Sequence, residues 1–298
     1  TFMMGEEGVR RSFAKGVEGA DVAVIEGVMG LYDGLDSTEV ASSAHVAKAL
    51  EAPVLLVINV HGTSRSAAAT ALGYAKFDPE VKIAGLILNR VGSKRHRDLL
   101  VEAIKPLGIP ILAALPRRGE ISLPSRHLGL TMGFEGHHDL EALADLIEEN
   151  ADLDRILSLG CDVPTAEPRP EFKGERIKIG VAYDEAFCFY YIENFETLTR
   201  LGADLEFFSP MRDPLPEVQG LYLGGGYPEL YAEALERSPT RQKIKEAAEE
   251  GMPIYGECGG LMYLCESVIS KDGDSENKMA GVLPASTTMT GRLQALGY

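Results

Sequence analysis

The segment Ile83–Asn89, IAGLILN, is an almost unbroken run of apolar side chains that stops at an asparagine. Continuous apolarity over so short a length fits a strand buried on both faces, whereas a half-exposed strand would alternate. Comparable runs occur at Val22–Glu26, Val54–Asn59 and Ile109–Leu115. Between and after them lie stretches of helical periodicity, near Thr38–Leu50, Ser66–Lys76, Arg97–Leu107 and Asp139–Glu149. Short buried strands that alternate with helices predict βαβ units, and hence a mostly parallel, doubly wound α/β sheet.

The periodicity breaks after Cys161, where DVPTAEPRPEFKGER carries three prolines and no apolar pattern. Such a stretch reads as a linker. A second α/β series follows, with strands at Ile177–Ala182, Leu205–Ser209, Gly220–Leu223 and Pro253–Gly256. Helices are expected near Tyr190–Leu201, across Pro228–Gly251 and from Cys258 onward. The resulting division is a domain over 1–160, a linker over 161–176 and a second domain over 177–298.

At 298 residues the chain can bury two ordinary cores. It has no apolar run near the roughly 20 residues that span a bilayer, and its start lacks the pattern of a signal peptide, so a cytoplasmic location and no membrane are expected. The four cysteines, Cys161, Cys188, Cys258 and Cys265, lack zinc-site spacing and read as reduced thiols. A formal charge of −16 argues against a nucleic-acid partner. Two basic islands stand out, Arg90–Arg97 and Arg117–Arg118. Each fits either an anionic ligand or a solvated helix start.

In Gly256-Glu257-Cys258-Gly259-Gly260 a cysteine sits between glycines where a strand gives way to a helix. Two readings fit: a nucleophile on a strained elbow, or a small hydrophobe in a tight corner. Upstream, Gly224-Gly225-Gly226 ends another strand, and its exposed amides could serve an oxyanion. Two such turns in one domain suit acyl transfer and favour the nucleophile. In the first domain, Glu26 and Asp33 flank a glycine-punctuated loop. At the carboxyl end of a parallel strand a carboxylate can hold Mg²⁺ against phosphates, although capped-loop and Asx-turn roles fit equally.

Taken together, EGVMGLYDG at Glu26–Gly34, LYLGGGYPELYAEAL at Leu221–Leu235 and YGECGGLMYL at Tyr255–Leu264 resemble one family, the cobyrinate a,c-diamide synthases. The group includes the nickel-sirohydrochlorin a,c-diamide synthases of coenzyme F430 synthesis, and the likeness runs through essentially the whole chain. It implies a dethiobiotin-synthetase-like P-loop NTPase domain followed by a class I glutamine amidotransferase domain, both partial here. It also implies ATP and Mg²⁺ as cofactors, L-glutamine as nitrogen donor and an anionic tetrapyrrole as acceptor. A homodimer is compatible with the fold.

By this resemblance Cys258 is the nucleophile, and Gly259 with Gly225 and Gly226 supplies the oxyanion and glutamine site. Glu26 is the magnesium ligand, Asp33 meets the macrocycle carboxylate and Asn89 recognises adenine, although a turn role for Asn89 fits as well. A cobyric acid synthase, another amidoligase and a catalytically inactive amidotransferase-like module are the alternatives. Two features depart from the family. No Gly-Lys pair exists, so the phosphate loop is missing, and all six histidines precede the linker. Both ends are therefore expected to lie outside this sequence, with weak nucleotide binding and little or no glutaminase turnover.

Overall fold

A computed structural model describes residues 1–117, 125–126, 129–130, 140–162 and 172–290. The chain divides into two compact units, whose described residues run 1–162 and 172–290. Arg118, His127, His137 and His138 lie outside the described residues.

In the first unit α1 (Gly5–Gly16) and α2 (Ser43–Ala49) precede the sheet. Then come β1 (Val54–Asn59), α3 (Arg65–Phe77), β2 (Ile83–Val91), α4 (Lys94–Ile104) and, past a 3₁₀ turn, β3 (Ile111–Pro116). A short antiparallel pair, β4 (Ser125–Arg126) and β5 (Gly129–Leu130), is followed by α5 (Leu140–Asn150) and α6 (Leu153–Leu157). The three long strands are parallel in the order β1-β2-β3. Their core holds Leu86, Leu88, Leu100 and Ile104, all fully buried, with Ala67, Ala68 and Ala71 on the sheet-facing side of α3. Methyl-sized side chains there let α3 lie close to the strands, which is why so alanine-rich a helix suffices.

One expected strand does not form. Residues 22–26 run without a ladder partner, and Val24 is 92% exposed. A strand exists only through the neighbour that takes its N–H and C=O groups. Among the described residues β1 pairs on one side only, with β2, and its Val57 is exposed. The helix expected over Thr38–Leu50 shortens to α2, because Ser42 caps it by accepting the His45 N–H at 3.0 Å and Ala41 takes a positive φ of 72° just before. Pro106 tightens the end of the helical stretch expected over Arg97–Leu107 into the 3₁₀ turn Lys105–Leu107.

The second unit contains β6 (Ile177–Ala182), α7 (Ile192–Arg200), β7 (Ala203–Phe208) and β8 (Gly220–Leu223). A 3₁₀ turn then leads to α8 (Ala232–Arg237), α9 (Thr240–Glu249), β9 (Ile254–Gly256) and α10 (Gly259–Leu264). A small sheet of β10 (Ser267–Ile269), β11 (Glu276–Lys278) and β12 (Ser286–Thr288) follows, which the apolar pattern does not announce because its strands are three residues each. The main sheet is parallel in the order β7-β6-β8-β9. One face packs Phe208, Leu221 and Leu223 with Leu235, Ile244 and Tyr263. Tyr222 and Tyr255, paired in register on β8 and β9, belong to the opposite face, as strand alternation requires.

Residues 172–176 pack on this second unit. The Phe172 N–H donates to the Arg200 carbonyl at 3.1 Å, and Arg176 pairs with Asp204 at 2.6 Å. Because Leu88 is fully buried between α3, α4 and the sheet, Leu88→Ala is expected to lower the stability of the first unit by about 2–5 kcal/mol. Urea titration followed by a probe in that unit measures it.

Candidate active site

Cys258 follows β9 after one intervening residue, Glu257, and directly precedes α10, with φ +50° and ψ −115°. A non-glycine residue in this region carries strain of about 1–3 kcal/mol, which the surrounding packing must hold. The thiol side chain is exposed. Its neighbours explain how the turn closes. A Cβ at Gly260 would fall 2.0 Å from the Leu223 carbonyl oxygen, and one at Gly256 would fall 2.6 Å from Leu264 Cδ1. Only hydrogen fits at Gly260, where the neighbour is backbone, while at Gly256 the Leu264 side chain would have to give way.

The helix that begins here is one of six residues. What the turn offers is therefore a set of free backbone donors more than a long macrodipole. Gly259 opens α10, and its N–H has no intrahelical acceptor. The second glycine turn lies against it: the Gly226 nitrogen is 3.1 Å from where a Gly259 Cβ would sit, and a Gly225 Cβ would lie 3.3 Å from Cys258 Cβ. Among the described residues the Gly226 N–H meets no acceptor, whereas Gly225 forms an isolated antiparallel bridge with Phe189, whose N–H donates to the Gly225 carbonyl at 3.0 Å. Gly224 differs, because its N–H donates to the Tyr190 hydroxyl at 2.8 Å. With Gly224 engaged and Gly225 bridged to Phe189, the open donors are Gly226 and Gly259.

Residues that the sequence pattern does not single out build this arrangement. Asp184, buried, accepts from the Ala186 and Phe187 N–H groups at 2.9 and 3.2 Å and from the Ser209 hydroxyl at 2.7 Å. It thereby fixes the loop whose Ala186 carbonyl accepts the Tyr227 N–H at 3.0 Å, just past the glycine turn. Tyr190 donates to the Ala182 carbonyl while receiving Gly224, and burial pushes its phenol well above the usual range. An acid and tyrosines in YDEAFCFYY, between two apolar strands, are the signal that could have marked them. Cys265 is buried at the end of α10, and that burial pushes its thiol up.

In the first unit the loops after the three strands are tied together. Gly92 N–H donates to His96 Nδ1 at 3.0 Å, so Nε2 carries the hydrogen and donates to the Thr63 carbonyl at 2.6 Å. The Arg117 N–H donates to the Val91 carbonyl at 2.9 Å. Asn89 does not end its strand, since the ladder continues to Val91 past a bulge where Arg90 takes φ +68°. Its register partner is Asn59, and its carbonyl accepts the Val60 N–H. Arg65, Arg90, Lys94, Arg95 and Arg97 are exposed and form no ion pair among the described residues. Neither α3 nor α4 has an acid in its first turn.

Glu26 and Asp33 are both exposed. The Asp33 carboxylate folds back over Gly30, where a Cβ would fall 2.1 Å from Oδ2, and the Asp33 N–H donates to the Gly30 carbonyl. Glu26 lies in an unpaired segment rather than at a strand end. Among the described residues no cluster of three or more His, Cys, Asp or Glu forms a protein cage for a metal. A lone carboxylate still suits Mg²⁺, which binds mainly through phosphate oxygens and water.

Two family models match this chain, the AAA domain over residues 6–125 and the CobB/CobQ-like glutamine amidotransferase domain over residues 178–298. Relatives called cobyrinate a,c-diamide synthase align with all of it. That of Caldanaerobacter subterraneus subsp. tengcongensis is 45% identical, with the chain spanning 68% of its length. Those of Syntrophotalea carbinolica and Methanobrevibacter smithii are 47% and 42% identical, each with 67% of its length spanned. The chain belongs to the cobyrinate a,c-diamide synthase family. It is thus a ligase of the amidotransferase type, with a P-loop-like unit followed by an amidotransferase unit. No helix among the described residues of this cobyrinate a,c-diamide synthase family member is long and apolar enough to cross a membrane.

The elbow geometry makes a sharp contrast between glycines. Gly260→Ala is expected to destabilise the second unit by about 2 kcal/mol, since its methyl meets a backbone carbonyl. Gly73→Ala, in open space inside α3, is expected to stabilise the first by about 0.5–1 kcal/mol. Paired thermal melts read both signs.

Proposed function

We propose that this chain carries out glutamine-dependent, ATP-driven amidation of the a and c side-chain carboxylates of a modified tetrapyrrole, cobyrinate or nickel-sirohydrochlorin. The observation that carries the reading is the exposed Cys258 at positive φ, flanked by the open amides of Gly226 and Gly259, with Gly225 packed against its Cβ. The Cys258 thiolate attacks the γ-carboxamide carbon of glutamine. The oxygen that becomes negative is met by those N–H groups, so the tetrahedral intermediate forms without reorganising the backbone. Collapse to the γ-glutamyl thioester releases ammonia. Water then attacks the thioester through a second oxyanion in the same place, releasing glutamate and restoring the thiolate.

The second unit contains no histidine, so none of its residues is the usual proton relay for these steps. In the amidoligase unit, ATP with Mg²⁺ supplies activation of the acceptor carboxylate as an acyl phosphate, which ammonia converts to the amide. Glu26 is the residue that would contact the metal, and Asn89, two residues before the end of β2, would face the nucleobase. Asp33 would orient the acceptor carboxylate's side chain. The unpaired cations Arg65, Arg90, Lys94 and Arg95 suit a polyanionic acceptor: arginine and lysine in a first helical turn oppose the helix dipole, and an anion offsets that cost.

Treatment with 6-diazo-5-oxo-L-norleucine followed by peptide mass spectrometry is expected to label Cys258 selectively, and Cys258→Ala to abolish labelling. Turnover of glutamine by the 298-residue chain is expected to be at least about 10²-fold below that of a relative that supplies a histidine relay. Selective labelling of Cys161 or Cys188 instead would overturn the assignment. With amide-¹⁵N glutamine and a catalytically competent relative of full length, nitrogen is expected at the a and c positions.

A further inference from the structure

One acidic side chain adjoins the nucleophile in sequence, and the structure shows where it is kept. Glu257 Oε1 accepts the Tyr222 hydroxyl at 2.6 Å, and Oε2 accepts the Tyr255 hydroxyl at 3.4 Å. Tyr222 is itself steadied by Asn194 Nδ2 at 3.5 Å, from α7. Tyr222, Tyr255 and Glu257 share the α7 face of the sheet, because Tyr222 and Tyr255 are register partners and Glu257 lies two residues beyond Tyr255. The Glu257 backbone N–H meanwhile donates to the Leu223 carbonyl at 3.0 Å. Main chain and side chain are thus anchored separately, one at the elbow and one on the far side of β8.

A carboxylate beside a thiolate disfavours it, since each charge raises the energy of the other. The position before the nucleophile is therefore a poor place for glutamate unless its charge is drawn elsewhere. Two hydroxyl donors draw it elsewhere. Burial first, and then the bond to Glu257, pushes the Tyr222 phenol up to about 12, so it stays a donor across the working pH range. The other titratable group of this face that senses Glu257 is Tyr190, and no cation faces the carboxylate among the described residues.

We propose that Tyr222, assisted by Tyr255, is a positioning residue for the glutaminase step: it latches the Glu257 carboxylate on the α7 face and keeps that charge off the Cys258 sulfur. This rests on the reading of Cys258 as nucleophile. The latch also gives the elbow a side-chain anchor beyond its glycines, and Tyr222→Phe removes the donor while leaving the ring packing against Tyr190 and Phe195.

The test is the pH dependence of iodoacetamide alkylation at Cys258, read by peptide mass spectrometry on the whole chain and three variants. Tyr222→Phe is expected to raise the midpoint by about 0.5–1 pH unit, the size of an unscreened neighbouring charge at partly exposed distance. Glu257→Gln is expected to leave the midpoint level or lower it, and the double variant to match Glu257→Gln. Tyr255→Phe, at an exposed ring that the core does not need, is expected to shift it in the same direction as Tyr222→Phe but less. An unshifted midpoint in both tyrosine variants, or the same shift with and without Glu257, overturns the latch. Failure of the norleucine analogue to label Cys258 would instead sink the nucleophile reading, and the alkylation cycle would still report on the charge.

Discussion

The second unit depends on backbone meeting backbone without side chains between. At Leu223 a carbonyl oxygen occupies the space a Gly260 methyl would need, and at Ala186 another occupies that of a Gly226 methyl, 2.1 Å from the would-be carbon. These contacts draw the loop after β8 and the turn after β9 into one site. They also force Cys258 into a left-handed conformation that its own side chain disfavours. The strain is local, and the core beneath it, with Leu223, Tyr263 and Leu264 buried, is what maintains it.

The same logic explains why polar side chains appear where they do. Asp184 and Tyr190 bind main-chain groups that no ladder can satisfy at a strand end. Burying such groups unpaired would cost about 1–3 kcal/mol each. The glycine turns are cheap to form only because these partners come from β6 and the loop behind it. In the first unit His96 does comparable work with a ring nitrogen on each of two loops.

Much of this was legible in the sequence, and the limits have physical causes. The run Ile83–Asn89 announces a parallel strand because a central strand covered on both faces shows no alternation, whereas β1 is as continuously apolar in sequence but leaves Val57 exposed. GECGG and LGGG mark the elbow because close approach excludes every residue but glycine. Val22–Glu26 misleads, since apolarity reports what a segment wants to bury and not whether a partner strand is beside it. The Tyr222 to Glu257 contact was illegible for another reason: it joins residues 35 apart whose pairing depends on strand register. Gly224 and Gly226 look alike in sequence, yet the Gly224 amide is occupied by a tyrosine hydroxyl 34 positions upstream and the Gly226 amide is open among the described residues.

The open side of β1 has a practical consequence. Among the described residues the β1 edge away from β2 has no strand partner and Val57 on it is exposed, which makes it a template onto which an extended segment can pair. Solutions of this polypeptide should therefore cloud through edge-to-edge stacking as concentration rises, well below the temperature at which either core melts. A lysine or proline placed on that rim would improve shelf life without touching the chemistry.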